Sequence, residues 1–294
     1  MSSLEVYLYA VGSNLTFSTA GLIFSFYARK FSPTWVGQVK VTVASIAFVI
    51  AFLLAEEFIP LSPTALILLF LSGLGGLCVG DILLFKAFAT LGAARSLVLF
   101  SFQPLLLGVY GFVFLGQTFT LTQTISVLCM IVCVYVFMME RKGLTGSWDL
   151  KSFLWAFGAI CLDAFGVMLT RTAYEMTPGL ETYETNVVRC FGALCGFFLI
   201  KPSSYQKIYQ DLRKLNVKEN TMIIGAGLGG CFIALALYLA ALKHAHVGTL
   251  TAISITGPVW VSLLECLYHR RLPNRFLSIA FIFFLAGFYL MVKA

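Results

Sequence analysis

Residues 73–116 read GLGGLCVGDILLFKAFATLGAARSLVLFSFQPLLLGVYGFVFLG: two long apolar runs joined by a short turn at 90–93, with Pro104 inside the second run. The pattern returns later in the chain. A gapless slide of 154 positions lays Gly73-Leu74-Gly75-Gly76 on Gly227-Leu228-Gly229-Gly230. The same slide lays Leu83 on Leu237, Ala87 on Ala241, Pro104 on Pro258, Ile125 on Ile279 and Tyr135 on Tyr289. The identities are few, but their register holds across two proline-broken runs and into a third. That persistence marks two copies of one unit.

Composition says what kind of unit it is. Sixty per cent of the 294 residues are hydrophobic and 11% are charged, where a soluble domain carries about a quarter charged residues. Apolar runs of about 20 residues match the thickness of a bilayer core, and ten occur: 5–26, 33–55, 64–86, 94–115, 118–138, 151–174, 179–200, 221–243, 246–267 and 274–292. In hydrocarbon each segment must satisfy its own backbone, so the runs read as helices. The sequence therefore predicts an all-α integral membrane protein of ten transmembrane helices. Five helices per copy is an odd number, so the second copy enters the membrane inverted relative to the first. Such inverted repeats place a binding site near the midplane, between the halves. The expected division is a first unit at 1–139, a polar linker at 140–150 and a second unit at 151–294. The first run has no basic leader or small-residue cleavage site and contains Asn14, which reads as a retained helix rather than a signal peptide.

The net charge of +7 is spread over short connections, which suits lipid headgroups and not nucleic acid. Fifteen lysines and arginines fall in the connections after the odd-numbered runs, against Arg171, Lys243 and Lys293 on the other side. The positive-inside rule then predicts a multi-pass plasma (inner) membrane protein with both termini extracytoplasmic. The eight cysteines form no CxxC pair, and Cys129 and Cys133, four apart, read as small packing residues. His244 and His246 are too sparse for a metal site. No cofactor or metal is expected.

Glycines cluster at Gly73, Gly76 and Gly80, and again at Gly225, Gly227, Gly229 and Gly230, where small residues let helix backbones approach in lipid. Pro104 and Pro258 each remove an intrahelical hydrogen bond, so matching kinks bow two helices around a cavity or simply shape their packing.

Four stretches together resemble a known family: GSNLTFSTA at 12–20, the proline and basic residue Pro33 and Lys40, VGDILLFKAFATLGAARS at 79–96, and QPLLLGVYGFVFLGQTFTLTQ at 103–123. They resemble the drug/metabolite transporter superfamily, in particular its EamA-type ten-helix members, over nearly the whole chain. The resemblance implies a transporter and leaves the substrate open. Two departures stand out. The family's LGE glutamate is Gln117 here, with His269-Arg270-Arg271 at the corresponding place of the second copy. Family members also keep both termini in the cytoplasm, the reverse of what this charge pattern predicts.

Intramembrane charges are expensive, about 2.5–3.5 kcal/mol at a helix centre on insertion scales, and so call for a function or a partner. Asp163 and Arg189 read as the deepest, with no charged counterpart in the first copy at the slide of 154. Either they neutralise each other or they face a wet cavity and take substrate. Asn14, Ser18, Gly21 and Ser25 form one polar helical stripe; Thr251, Ser254, Pro258, Ser262 and Glu265 form another; Gln103 and Tyr110 stand seven apart on a third helix. Such faces turn inward, to a cavity or to helix–helix hydrogen bonds. The candidate substrate-binding residues are therefore Asn14, Ser18, Gln103, Tyr110, Asp163, Arg189, Thr251 and Ser254. Asp81 reads as interfacial, with Arg95 as its better partner, Lys40 as a snorkelling or anion-binding residue, and Tyr238 as packing.

The expected function is a secondary transporter, an exporter of small polar or amphipathic metabolites working by alternating access at the repeat interface. A channel or lipid-moving membrane protein is the alternative. No GxxxxGK[ST] sequence is present to supply ATP drive, and no convergent nucleophile–base set suggests an enzyme. The expected partners are a small-molecule substrate, membrane lipids and a coupling proton, with the chain a monomer or homodimer.

Overall fold

Serine, proline and glycine punctuate the chain into helices. Ser32 and Ser62 each accept a hydrogen bond at their side chain from the backbone N–H three residues on (Trp35 at 3.1 Å, Ala65 at 3.2 Å), each with a proline at the first helical position. Asp149 caps another helix through the Ser152 N–H, and Asn216 and Glu219 form a reciprocal capping box. Gly92, at φ 93°, turns the chain between two helices in a conformation that a side chain would strain.

The structure, a computed structural model, describes residues 3–100, 149–200, 202, 204–244, 256–269 and 275–293, together with 103, 106, 121–122, 125, 128–129, 131–133, 135–136, 139 and 143. The principal helices are α1 (Ser3–Lys30), α2 (Pro33–Ala55), α3 (Pro63–Leu91), α4 (Ala93–Phe100), α5 (Leu150–Met176), α6 (Thr182–Ile200), α7 (Ser204–Lys214), α8 (Val217–Lys243), α9 (Thr256–His269) and α10 (Arg275–Lys293). Every regular element among the described residues is helical. Of these helices, α2, α3, α5 and α8 are long and apolar enough to cross a membrane. A fifth span is added if α6 and the Tyr205–Lys214 part of α7, turned 96° from each other, are taken together. Helix α1 has 28 residues, but Asn14, Ser13, Thr16, Ser18 and Thr19 dilute its apolar character. About half of the fifth expected run and most of the fourth lie outside the described residues.

Both glycine runs depart from α geometry at the same place. Gly73–Gly80 within α3 and Leu228–Ile233 within α8 are π-helical, a widened turn that recurs at functional sites. Helices α2 and α6 also correspond, but at a slide of 149: Val39 matches Val188, Lys40 matches Arg189, Ala44 matches Ala193 and Phe48 matches Phe197. The five-residue difference from the slide of 154 falls between α6 and α8, where the connection holds the additional amphipathic helix α7.

The two halves interleave. Helix α1 packs on α8 and α9, α2 on α6, and α3 on α5 and α6. One core cluster joins Val41, Ala44 and Phe48 of α2, Leu77 and Cys78 of α3, Cys190, Ala193 and Phe197 of α6, and Cys231 of α8. Backbones meet where α3 crosses α6: a Cβ on Gly73 would overlap the Arg189 carbonyl, and one on Gly192 that of Phe70. Large apolar side chains cover the outside, among them Leu53, Leu54, Phe165, Phe198, Leu199 and Ile282, as a lipid-facing surface requires. Lys30 pairs with Glu219, and Arg29 donates to the Ala89 carbonyl, at one end of the bundle. Glu56 receives the N–H groups of Tyr183 and Glu184 at the other, where Lys243 pairs with Glu181 at 3.0 Å.

Candidate substrate cavity

Four charged side chains converge between the halves. Lys40 comes from α2, Asp81 from α3 just past its π-helical turn, Asp163 from α5 and Arg189 from α6, and all four line one cavity of about 150 Å³. Ser13, Asn14, Phe17 and Ser18 of α1, Gln103, Leu235 and Tyr238 of α8, and Gly257 and Pro258 of α9 complete much of its wall.

Each charge has its own anchor. Lys40 Nζ donates to Asp81 Oδ2 at 2.6 Å, with both side chains buried, and the ammonium also stands over the Phe85 and Phe17 rings, 5.5 and 5.9 Å from their centres. Asp163 Oδ2 accepts from Gln103 Nε2 at 2.7 Å. Arg189 Nε donates to Ser72 Oγ at 3.0 Å, while its Nη1 is buried with no hydrogen-bond partner. Ser72 is itself held by Thr170 and the Gly166 carbonyl, which fixes the acceptor that orients the guanidinium. Among the described residues no ion pair joins Asp163 to Arg189. Of the two readings the sequence left open, the arrangement is that of two cavity-lining charges, each with its own neutral anchor, and not of a direct ion pair.

The position of Asp81 is a correction. With the third run read as ending at 86, Asp81 seemed interfacial and Arg95 its partner. Helix α3 continues to Leu91, which sets Asp81 about 15 Å from its end at 1.5 Å per residue. Lys86 instead lies over the Trp155 ring at 5.6 Å, and Arg95 reaches the Leu91 carbonyl.

Of the expected substrate-binding residues, Asn14, Ser18, Gln103, Asp163 and Arg189 line the cavity. Tyr110, Thr251 and Ser254 lie outside the described residues. The α1 stripe divides along its length: Asn14 and Ser18 face the cavity, whereas Ser25 is buried and donates to the Phe88 carbonyl at 2.8 Å, a helix–helix bond. Sequence reasoning missed Lys40 with Asp81, and Tyr238, as parts of this wall. The signal for Lys40 lay in the slide of 149, which sets it on Arg189 and sets Asn14 on Asp163.

The sequence profile of the EamA-like transporter family matches residues 4–139 and again residues 150–293. The chain belongs to the EamA-like transporter family. A solved crystal structure aligns with this EamA-like chain at a TM-score of 0.65, covering 98% of it and 96% of the other chain, with 17% sequence identity; at that identity the likeness concerns the fold. No curated protein matches the chain. The family consists of multi-pass membrane transporters of the drug/metabolite type, so a small-molecule substrate and a lipid environment follow for the EamA-like chain.

Proposed function

We propose that this chain is a secondary transporter, an exporter of small polar or amphipathic metabolites, that carries its substrate by alternating access around the cavity. The reading takes the chain as ten spanning helices in two inverted five-helix units, 1–139 and 151–294, joined by the linker 140–150. The observation that carries it is the convergence of Lys40, Asp81, Asp163 and Arg189 on one small cavity walled by helices of both halves. Buried charges are costly in a membrane, and a packing role alone would be met better by apolar side chains. The π-helical turns beside this wall in α3 and α8 supply places where the two halves can flex against each other. Asn14, Ser18, Gln103, Asp163 and Arg189 are the proposed substrate contacts, joined by Tyr110, Thr251 and Ser254 from the sequence pattern. A channel would need a continuous path, and a lipid mover a groove wide enough for acyl chains, whereas about 150 Å³ suits a single small solute.

The test is counterflow in proteoliposomes. Vesicles loaded with a panel of amino acids, amines, nucleosides, sugars and organic acids are diluted into labelled tracer, and transient accumulation of one tracer is expected. Conductance without counterflow would replace the carrier by a channel, and movement of labelled phospholipid alone would replace it by a lipid mover.

A further inference from the structure

The two halves treat their matching cations differently. Lys40 and Arg189 occupy the eighth position of α2 and α6, counted from Pro33 and Thr182, and both line the cavity. Lys40 has a carboxylate built in beside it, Asp81 at 2.6 Å. The slide of 154 that aligns the two glycine runs sets Leu235 where the second half would need the equivalent of Asp81, and Leu235 lines the same cavity. Arg189 is 2% exposed, donates to the neutral Ser72 hydroxyl through Nε, and among the described residues leaves Nη1 without a hydrogen-bond partner.

From this asymmetry we infer that Arg189 is an anion subsite: a single anionic group of the substrate, a carboxylate by size and geometry, takes the place that Asp81 holds in the first half. The inference rests on the transporter reading of the cavity. A buried guanidinium with an unfilled donor is unfavourable, so a ligand that fills it gains more there than in water. Asp163 does not fill it: among the described residues no ion pair joins the two, and Asp163 Oδ2 accepts from Gln103 instead. Size limits the ligand further. A cavity of about 150 Å³ is of the order that admits one benzene ring in an engineered apolar site, which favours a small ligand over a nucleotide or a phospholipid headgroup. Asp163 across the cavity balances Arg189 at longer range, so an entering anion brings a compensating positive charge, its own or a proton.

The experiment is thermal unfolding of the full-length protein in lipid nanodiscs, at matched ionic strength, with acetate, propionate and benzoate set against acetamide, propionamide and benzamide. At least one carboxylate should raise Tm in a saturable way while its amide does not. Arg189→Gln should weaken the half-saturation at least tenfold, the worth of one charge-assisted contact. Leu235→Asp leaves Arg189 in place and supplies the missing counter-ion, so it should raise the ligand-free Tm and abolish the carboxylate response, even if Arg189→Gln fails to fold. Equal shifts with acid and amide, no shift with any of the six, or an undiminished response in Leu235→Asp would each overturn the inference. Counterflow of a substrate in a protein indifferent to carboxylates would remove the anion subsite alone. A carboxylate response without any counterflow would remove the transporter reading and leave the subsite standing.

Discussion

Lys40 Nζ lies 2.6 Å from Asp81 Oδ2, and the two side chains are 3% and 7% exposed. Removing one partner of such a pair leaves a buried charge unmatched, which destabilises by about 3–5 kcal/mol, whereas replacing both by apolar residues is neutral or stabilising. Lys40→Met and Asp81→Asn should therefore each lower stability by about 3–5 kcal/mol in denaturant titrations, and Lys40→Met with Asp81→Leu should recover most of it. Additive losses in the double variant would mean that the pair does not act as a unit.

Gly73 tests the crossing of α3 over α6. A Cβ at Gly73 meets the Arg189 carbonyl, while one at Gly75 in the same π-helical turn meets nothing within 4 Å. Gly73→Ala should cost about 1–3 kcal/mol as an overpacked contact and displace the backbone that carries Arg189. Gly75→Ala should be close to neutral. Equal melting temperatures for the two variants would show that the helices separate there without penalty.

Much of this was legible in the sequence, for reasons that also explain the misses. The apolar runs and the glycine clusters act locally, and hydropathy and residue size report local preferences directly. Asp163 and Arg189 stood out because charge is rare in an apolar run, but which groups anchor them depends on how α3 and α5 cross α6, and no single helix encodes that. Ser72 looked like any small residue, yet it orients the guanidinium. Asp81 was misplaced by a helix end set five residues short. Lys40 and Arg189 were not recognised as equivalents because one gapless slide of 154 cannot serve α2 and α6, which match at 149. Pseudo-symmetry in such a chain is legible only when each helix pair is allowed its own register.

Orientation follows from the basic residues at the end of the bundle where Lys30 meets Glu219. The positive-inside rule predicts that end to be cytoplasmic and both termini to be outside. In a bacterial host, a C-terminal alkaline phosphatase fusion should be active and a C-terminal green fluorescent protein fusion dark. A fluorescent, phosphatase-negative pair would reverse the orientation.

The last prediction concerns proton coupling at Asp163. Its Oδ2 is fixed by Gln103 at 2.7 Å, and the residue borders the cavity, so its charge can respond to what occupies that space. If a proton on Asp163 accompanies the substrate, Asp163→Asn imitates the permanently protonated acid. The variant keeps its fold, because the amide oxygen still accepts from Gln103. In proteoliposomes it should exchange internal for external substrate as the parent does, yet lose accumulation driven by a pH gradient, since no proton is released on the far side. Gln103→Leu removes the anchor but not the titrating group, so it should weaken transport while leaving the response to a pH gradient in place. Gradient-driven accumulation by Asp163→Asn would take the coupling away from this carboxylate, and the same result with Arg189→Gln would move the substrate contacts towards Asn14 and the α9 face.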